Sequence, residues 1–108
     1  MSTLRAACVQ FAARPHKSDN IREMAPLVAD AAGRGADIVL LPEKWNAWLD
    51  GPGLRDLAEN LEGGETVDAM AEWARAHRIN LIGGSIATRQ SSCRRWFCTM
   101  SLSAPTWS

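Results

Sequence analysis

The stretch that decides the fold is Gly35-Ala36-Asp37-Ile38-Val39-Leu40-Leu41-Pro42-Glu43. Its four consecutive apolar residues, 38–41, predict a short strand that is buried on both faces, as in a parallel sheet. Pro42 has no N–H to donate, so the strand should end there. Glu43 is thereby placed at the carboxyl end of a buried strand, which is the edge where open α/β sheets bind ligands.

Strands and helices alternate along the rest of the chain. Short apolar runs predict strands at residues 4–11, 36–41 and 79–84, and apolar residues at helical spacing predict helices at 19–33 and 66–77. Thr66 is the expected N-cap of the second helix. The order β-α-β-α-β predicts an α/β fold with three parallel strands and both helices on one side of the sheet. The positions expected to be buried are Val9, Ile38, Leu40, Leu81 and Ile82.

Composition limits the class of protein. Twelve basic and twelve acidic residues cancel, so no net charge attracts the chain to nucleic acid or to a membrane. No apolar run approaches the roughly 20 residues of a spanning helix, and no secretory signal is visible at the amino terminus. Three cysteines do not predict a disulfide framework. We therefore expect a cytoplasmic location.

Several short motifs occur in a recognisable order. They are Ala6-Ala7-Cys8-Val9-Gln10, Gly35-Ala36-Asp37, Leu41-Pro42-Glu43, Glu59-Asn60-Leu61-Glu62-Gly63-Gly64, Ala71-Glu72-Trp73-Ala74 and Ile82-Gly83-Gly84-Ser85-Ile86. In order and spacing they resemble the amino-terminal part of the nitrilase superfamily, the carbon–nitrogen hydrolases, and most closely its Nit-type amidases. The resemblance covers residues 4 to about 88. It implies that residues 1–88 form the amino-terminal part of an α-β-β-α sandwich.

The resemblance also implies a reaction, which is hydrolysis of a non-peptide C–N bond through a thioester. In this family a cysteine attacks, a glutamate is the general base and a lysine stabilises the tetrahedral intermediate. Glu43 matches the position of the glutamate, although its spacing alone would equally fit a surface residue after a strand. The family's lysine and cysteine come later than the matched region, so the lysine role is not assigned to Lys17 or Lys44.

The other reactive side chains are expected to be structural. Cys8 lies within the first predicted strand, where a buried cysteine is commonly an inert, small apolar residue. Cys93 and Cys98 lack the spacing and companion ligands of a metal site, and His16 and His77 do not supply them. His77 falls in the last turn of its helix, where a partial positive charge suits the dipole. No metal or cofactor is expected.

Two further features are open to more than one interpretation. Trp45 and Trp48 either line the mouth of a substrate site or cover the edge of the sheet, because aromatic loop residues do both. Gly83, Gly84 and Ser85 follow a predicted strand and weakly resemble a phosphate-binding loop. They lack the further glycine, the lysine and the helix start that such loops use.

Residues 89–108 differ from the rest of the chain. They contain five serines and three arginines, no acidic residue and no glycine, and no periodicity of 2 or 3.6. The segment is either a low-complexity extension or the product of a shifted reading frame. With one choice of codons, dropping two bases gives Leu-His-Asn-Val-Ala-Val-Gly-Pro-Asp-Leu, which resembles the family's next strand. Both accounts predict that this aberrant tail makes few packed contacts.

The favoured interpretation is an amino-terminal fragment of an amidase-type hydrolase. The intact family acts on small amides or nitriles and assembles into homo-oligomers, whereas this chain alone should be inactive because the nucleophile is missing. The alternative is a non-catalytic α/β binding protein whose uncovered sheet pairs with an intact relative. A nucleotide-binding domain is disfavoured, since no glycine-rich fingerprint follows the first strand.

Overall fold

The structure is a computed structural model that describes residues 3–48, 57–60, 62–87 and 97–102, the last segment by its backbone only. Its elements, in chain order, are β1 (Ala6–Cys8), α1 (Lys17–Gly33), β2 (Ile38–Leu40), α2 (Glu65–His77), β3 (Asn80–Ala87) and β4 (Phe97–Leu102). The predicted α/β alternation is therefore confirmed. No helix in these ranges is long and apolar enough to cross a membrane.

The four strands form one sheet in the order β1-β2-β3-β4. β1 runs parallel to β2 with Ala7 opposite Val39, and β2 runs parallel to β3 with Val39 opposite Leu81. This confirms the predicted parallel pairing of the first three strands. β1 is shorter than the predicted strand, although the Val9 N–H still donates to the Leu40 carbonyl at 2.9 Å.

One face of the sheet is covered by both helices, as the alternation of the sequence predicts. α1 contributes Met24 and Val28, and α2 contributes Met70, and all three are fully buried. They pack in one cluster with Val39 and Leu81 of the sheet. Residues of α1 and α2 also contact each other, so the helices form a single layer on this face.

The opposite face of the sheet is largely open, which corrects the prediction that residues 38–41 are buried on both faces. Leu40 is 41% exposed, whereas Val39 and Leu41 on either side of it are buried. Of the other positions expected to be buried, Leu81 is fully buried and Val9, Ile38 and Ile82 are half-buried. The reason is physical: side chains alternate across a strand, and the described residues supply a helical layer to one face only.

The strand β4 corrects the expectation that residues 89–108 contain no packed element. Phe97–Leu102 pairs antiparallel with β3, with Ala87 opposite Phe97 and Leu81 opposite Leu102. Backbone pairing requires no period-2 pattern of apolar residues, so composition could not reveal this strand. Residues 88–96 and 103–108 lie outside the described ranges. The division of the chain after residue 88 and the shifted reading frame stay predictions.

Candidate active site

Glu43 lies at the carboxyl end of β2, where the apolar run and Pro42 predict it. The Leu41 N–H still donates to the Ile82 carbonyl at 2.8 Å, so the chain leaves the sheet only at Pro42. Glu43 is exposed, and its Oε2 atom accepts a hydrogen bond of 2.9 Å from the backbone N–H of Ser85 in β3. The carboxylate is thus both accessible to solvent and tied to the neighbouring strand.

A tight turn follows Glu43 at once. Lys44 has a left-handed backbone with φ of 51°, which is an uncommon conformation for a residue other than glycine. Its N–H donates to the Ser85 carbonyl at 3.1 Å. Ser85 therefore contacts both the side chain of Glu43 and the peptide group that comes after it.

The two neighbouring glycines of β3 allow close packing around this turn. A Cβ atom on Gly84 would lie 2.9 Å from the Pro42 carbonyl oxygen and 3.0 Å from the Glu43 Cα. A Cβ atom on Gly83 would overlap the Met70 Cε on the opposite side. Both glycines are part of a strand, which corrects their weak resemblance to a phosphate-binding loop.

The two tryptophans after Glu43 have different environments. Trp45 is fully buried, and its ring lies 5.8 Å from that of Trp73 at a tilt of 39°. Trp48 is 60% exposed. Trp45 is therefore a core residue that anchors the loop, while Trp48 remains open to solvent. Among the side chains that the structure describes, the Trp45 Nε1 atom is buried and has no hydrogen-bond partner.

A buried polar cluster holds the loop that follows Glu43. The sequence analysis did not predict this cluster. Asn46 donates through Nδ2 to the Thr66 Oγ1 at 3.1 Å and to the Glu59 Oε2 at 3.4 Å. Glu59 accepts a hydrogen bond of 2.8 Å from the Thr66 N–H and a second from its hydroxyl group. Lys17 lies 3.1 Å from Glu59. We call Lys17, Asn46, Glu59 and Thr66 the Glu59 cluster.

The Glu59 cluster also explains how α2 begins. The N-cap of α2 is Gly64, not the predicted Thr66, and Gly64 has no side chain to accept a hydrogen bond. The Glu59 carboxylate accepts that bond from the Thr66 N–H instead. A carboxylate at this position also interacts favourably with the helix dipole. Glu59 thereby connects the start of α2 to the loop that follows Glu43.

Asn20 fixes the loop from the side of α1. It is fully buried, its Nδ2 donates to the carbonyls of Arg14 and Asn46 at 2.7 and 2.8 Å, and its Oδ1 accepts from the Arg14 N–H at 2.8 Å. One sequence signal could have revealed it. Asn20 precedes Met24 and Val28 at intervals of four residues, so it lies on the apolar stripe of the helix.

The remaining candidate residues belong to other elements or lie outside the described side chains. Cys8 is exposed, which corrects the prediction that it is buried, because it lies on an edge strand next to the open face of the sheet. His77 ends α2, as predicted, and His16 is the N-cap of α1. Cys93 and the side chain of Cys98 lie outside what the structure describes. Within the described ranges, no three His, Cys, Asp or Glu side chains are grouped as a metal site requires.

The sequence matches the family model described as carbon-nitrogen hydrolase over residues 5–106. The chain belongs to the carbon–nitrogen hydrolase family. This match extends beyond residue 88, where the resemblance of the quoted motifs ends, and it includes β4. Membership in this family confirms the resemblance and the α/β fold class.

The relatives that the chain matches are, like the Nit-type amidases that its motifs resemble, amidases of the carbon–nitrogen hydrolase family. The chain is 42% identical over 86 residues to the omega-amidase NIT2 of Mus musculus, covering 80% of this chain and 31% of that protein. It is 33% identical over 105 residues to the omega-amidase NIT2-A of Xenopus laevis, covering 97% of this chain and 37% of the relative. The chain therefore spans about a third of the length of the curated relatives it matches.

Two solved structures share the fold. XC1258 of Xanthomonas campestris, a protein of this superfamily, is 28% identical with a TM-score of 0.72, over 84% of this chain and 33% of that one. The NitFhit protein of C. elegans has a TM-score of 0.79 over 95% of this chain and 26% of its own, and at 23% identity it supports the fold alone.

Proposed function

We propose that this chain supplies the general base, Glu43, and the surrounding wall of the active site of an amidase-type carbon–nitrogen hydrolase. The observation that carries the proposal is the placement of Glu43 at the carboxyl edge of β2. There its carboxylate is exposed and accepts the Ser85 N–H at 2.9 Å. Membership of the family supports the reaction class.

The chemistry asked of Glu43 is proton transfer. An ionised carboxylate offers about four acceptor positions, so the bond from Ser85 leaves capacity for a thiol proton. Loss of that proton makes the sulfur nucleophilic. The thiolate then forms a bond to the amide carbon, the C–N bond breaks as the amine leaves with the proton, and water hydrolyses the thioester. The resemblance implies that the family's cysteine and lysine come later in the sequence than the quoted motifs.

The names of several relatives narrow the class of substrate that we propose. Because several relatives are omega-amidases, we propose a small carboxylic acid with a terminal amide as the substrate of the whole enzyme. Assembly into homo-oligomers and a cytoplasmic location belong to the same proposal, and the lack of a predicted disulfide framework supports the location.

The proposal can be tested with a fusion protein. The 105 residues of this chain that match the omega-amidase NIT2-A of Xenopus laevis replace the aligned segment of that enzyme, and ammonia release is measured from a panel of short terminal amides. We expect the fusion to be active and Glu43→Gln to lower kcat by about 10²–10⁴-fold, the usual contribution of general acid–base catalysis. Glu62→Gln is the matched control, because Glu62 is an exposed glutamate in a turn. Full activity of Glu43→Gln would overturn the proposal.

The unfused chain provides a second test. We expect the 108-residue chain to release no ammonia from the same amides, since the covalent route requires a positioned nucleophile. Cys8 is the cysteine whose side chain the structure describes, and it is exposed at the open face of the sheet. Turnover by the chain that disappears in Cys8→Ala would contradict the assignment.

One observation favours the alternative, a non-catalytic binding protein. The open face of the sheet exposes Leu40 and Cys8 and half-exposes Ile38 and Ile82. Uncovered apolar surface on a sheet favours association. If binding is the function, the chain should form a stable complex with an intact relative in light-scattering measurements, and the fusion should release no ammonia.

A further inference from the structure

The strand β3 carries one extra residue beside Glu43. Ile82 lies opposite Ser101 and Ser85 lies opposite Thr99, so three steps along β3 match two steps along β4. The irregularity falls at Gly83 and Gly84. Such β-bulges occur next to active sites, where they change the direction in which a group points.

Gly84 is suited to this bulge in a way that other residues are not. Its φ is +66°, a conformation that residues with a Cβ rarely adopt. Besides the contacts to Pro42 and to the Glu43 Cα, its Cβ position lies 3.2 Å from the Glu43 backbone nitrogen. All three neighbours are backbone atoms, so a side chain here would have to displace the chain that carries Glu43.

After the bulge, both backbone groups of Ser85 form hydrogen bonds with the turn at Glu43 and Lys44. The Ser85 N–H donates to the Glu43 Oε2 at 2.9 Å, and the Ser85 carbonyl accepts the Lys44 N–H at 3.1 Å. One residue of β3 thus restrains both the carboxylate and the backbone that follows it. Neither bond uses the Ser85 side chain.

We propose that Gly84 is a positioning residue for Glu43. By adopting the left-handed conformation and packing directly on the Pro42–Glu43 backbone, it aims the Ser85 N–H at the carboxylate and fixes the position of Glu43 Oε2. The catalytic meaning of this arrangement rests on the proposed function. The contact itself does not, because it is present within this chain.

The contact can be measured in the 108-residue chain by following the Ser85 amide proton by NMR during a pH titration. A backbone N–H bonded to a carboxylate should shift downfield as the carboxyl group of Glu43 loses its proton. We expect this shift to disappear in Glu43→Gln, which cannot ionise, and in Gly84→Ala, which displaces the two groups. It should persist in Ser85→Ala, since the donor is the backbone.

Gly63→Ala is the matched control. Gly63 also has a positive φ, of +81°, but a Cβ atom there would meet no other atom within 4 Å. The control therefore carries the same kind of backbone strain without the contact to Glu43. We expect Gly63→Ala to keep the pH-dependent shift of Ser85. A shift that survives Gly84→Ala, or that is unchanged by Glu43→Gln, would overturn the proposal, and the second result can overturn it even if Gly84→Ala does not fold.

Kinetics in the fusion protein separate this inference from the proposed function. We expect Gly84→Ala to lower kcat by up to about 100-fold, the cost of misplacing a catalytic group by roughly 1 Å, with KM nearly unchanged, and Gly63→Ala to leave kcat unaltered. If the Ser85 shift responds as expected but Glu43→Gln remains active, the positioning contact stands and the general-base assignment fails. Equal kcat for Gly84→Ala and the parent fusion would overturn the positioning role.

Discussion

The ammonium group of Lys17 lies 3.1 Å from the carboxylate of Glu59, with side chains only 10% and 3% exposed. The two residues are 42 positions apart in the sequence and belong to α1 and to the segment before α2. Their contact, together with the bonds from Asn46 and Thr66, joins both helices to the loop that follows Glu43. The Glu59 cluster therefore holds the loop that follows Glu43 against the two helices.

Removing one partner of this buried ion pair should be costly. We expect Lys17→Met to lower the free energy of unfolding by about 3–5 kcal/mol, because the buried carboxylate of Glu59 would lose its counter-ion. Urea unfolding followed by circular dichroism measures the loss. Arg22→Met is the control, since Arg22 is 72% exposed in its ion pair with Asp19 and such surface pairs contribute about 0–1 kcal/mol. Equal losses in both variants would contradict the role of Lys17.

The start of α2 should not tolerate a side chain at its N-cap. In Gly64→Ala the new Cβ atom would lie 2.5 Å from the Asn60 carbonyl oxygen and from the Glu59 Oε1. We expect a loss of about 1–3 kcal/mol, as for other overpacked positions. Gly33→Ala is the matched control, because a Cβ atom there meets nothing within 4 Å. Thermal unfolding of both variants should show a lower Tm for Gly64→Ala alone.

The two faces of the sheet should respond differently to charge. Leu41 is 2% exposed and Leu40 is 41% exposed, although the two are adjacent and identical in type. We expect Leu41→Asp to unfold the 108-residue chain, since it buries an unpaired charge, and Leu40→Asp to leave it folded. Far-ultraviolet circular dichroism separates the two outcomes. Unfolding in both variants would show that the face carrying Leu40 is covered.

Hydrogen exchange can test whether residues 97–102 of the tail form the strand β4. Antiparallel pairing with β3 should slow amide hydrogen exchange within residues 97–102 relative to an unstructured segment. We also expect truncation after residue 96 to speed exchange in β3, which would lose a neighbour. Uniformly fast exchange over residues 97–102 would instead support the expectation from composition that the tail makes few packed contacts. Resequencing the gene through the codons for residues 85–108 tests the shifted frame separately.

The sequence was sufficient for the parts of the fold that depend on local patterns. The apolar run before Pro42 predicted a parallel strand and the edge position of Glu43, and the helical stripes predicted one covering layer. Local patterns could not show that Leu40 faces outward, because a continuous apolar run looks the same whether one face or two are covered. The open face became visible only when the neighbours of each strand were known.

The missed features depend on contacts between distant segments. Thr66 is a good N-cap residue by type, but a glutamate seven positions earlier supplies the acceptor, which leaves Gly64 as the cap. The polar partners of Glu59 are separated from it by up to 42 residues, and no spacing rule connects them. The packing of Gly84 on Glu43 is equally remote in sequence. Only the asparagine on the apolar stripe of α1, Asn20, left a local signal.

The most direct test of the central claim, that Glu43 is the general base, is chemical rescue in the fusion protein. Replacement of Glu43 by Ala removes the carboxylate and leaves space at the site, and added formate can supply a carboxylate of similar chemistry. We expect Glu43→Ala to lose activity and to regain ammonia release in proportion to the formate concentration, while the parent fusion is unaffected by formate. Full activity of Glu43→Ala without formate would contradict the claim.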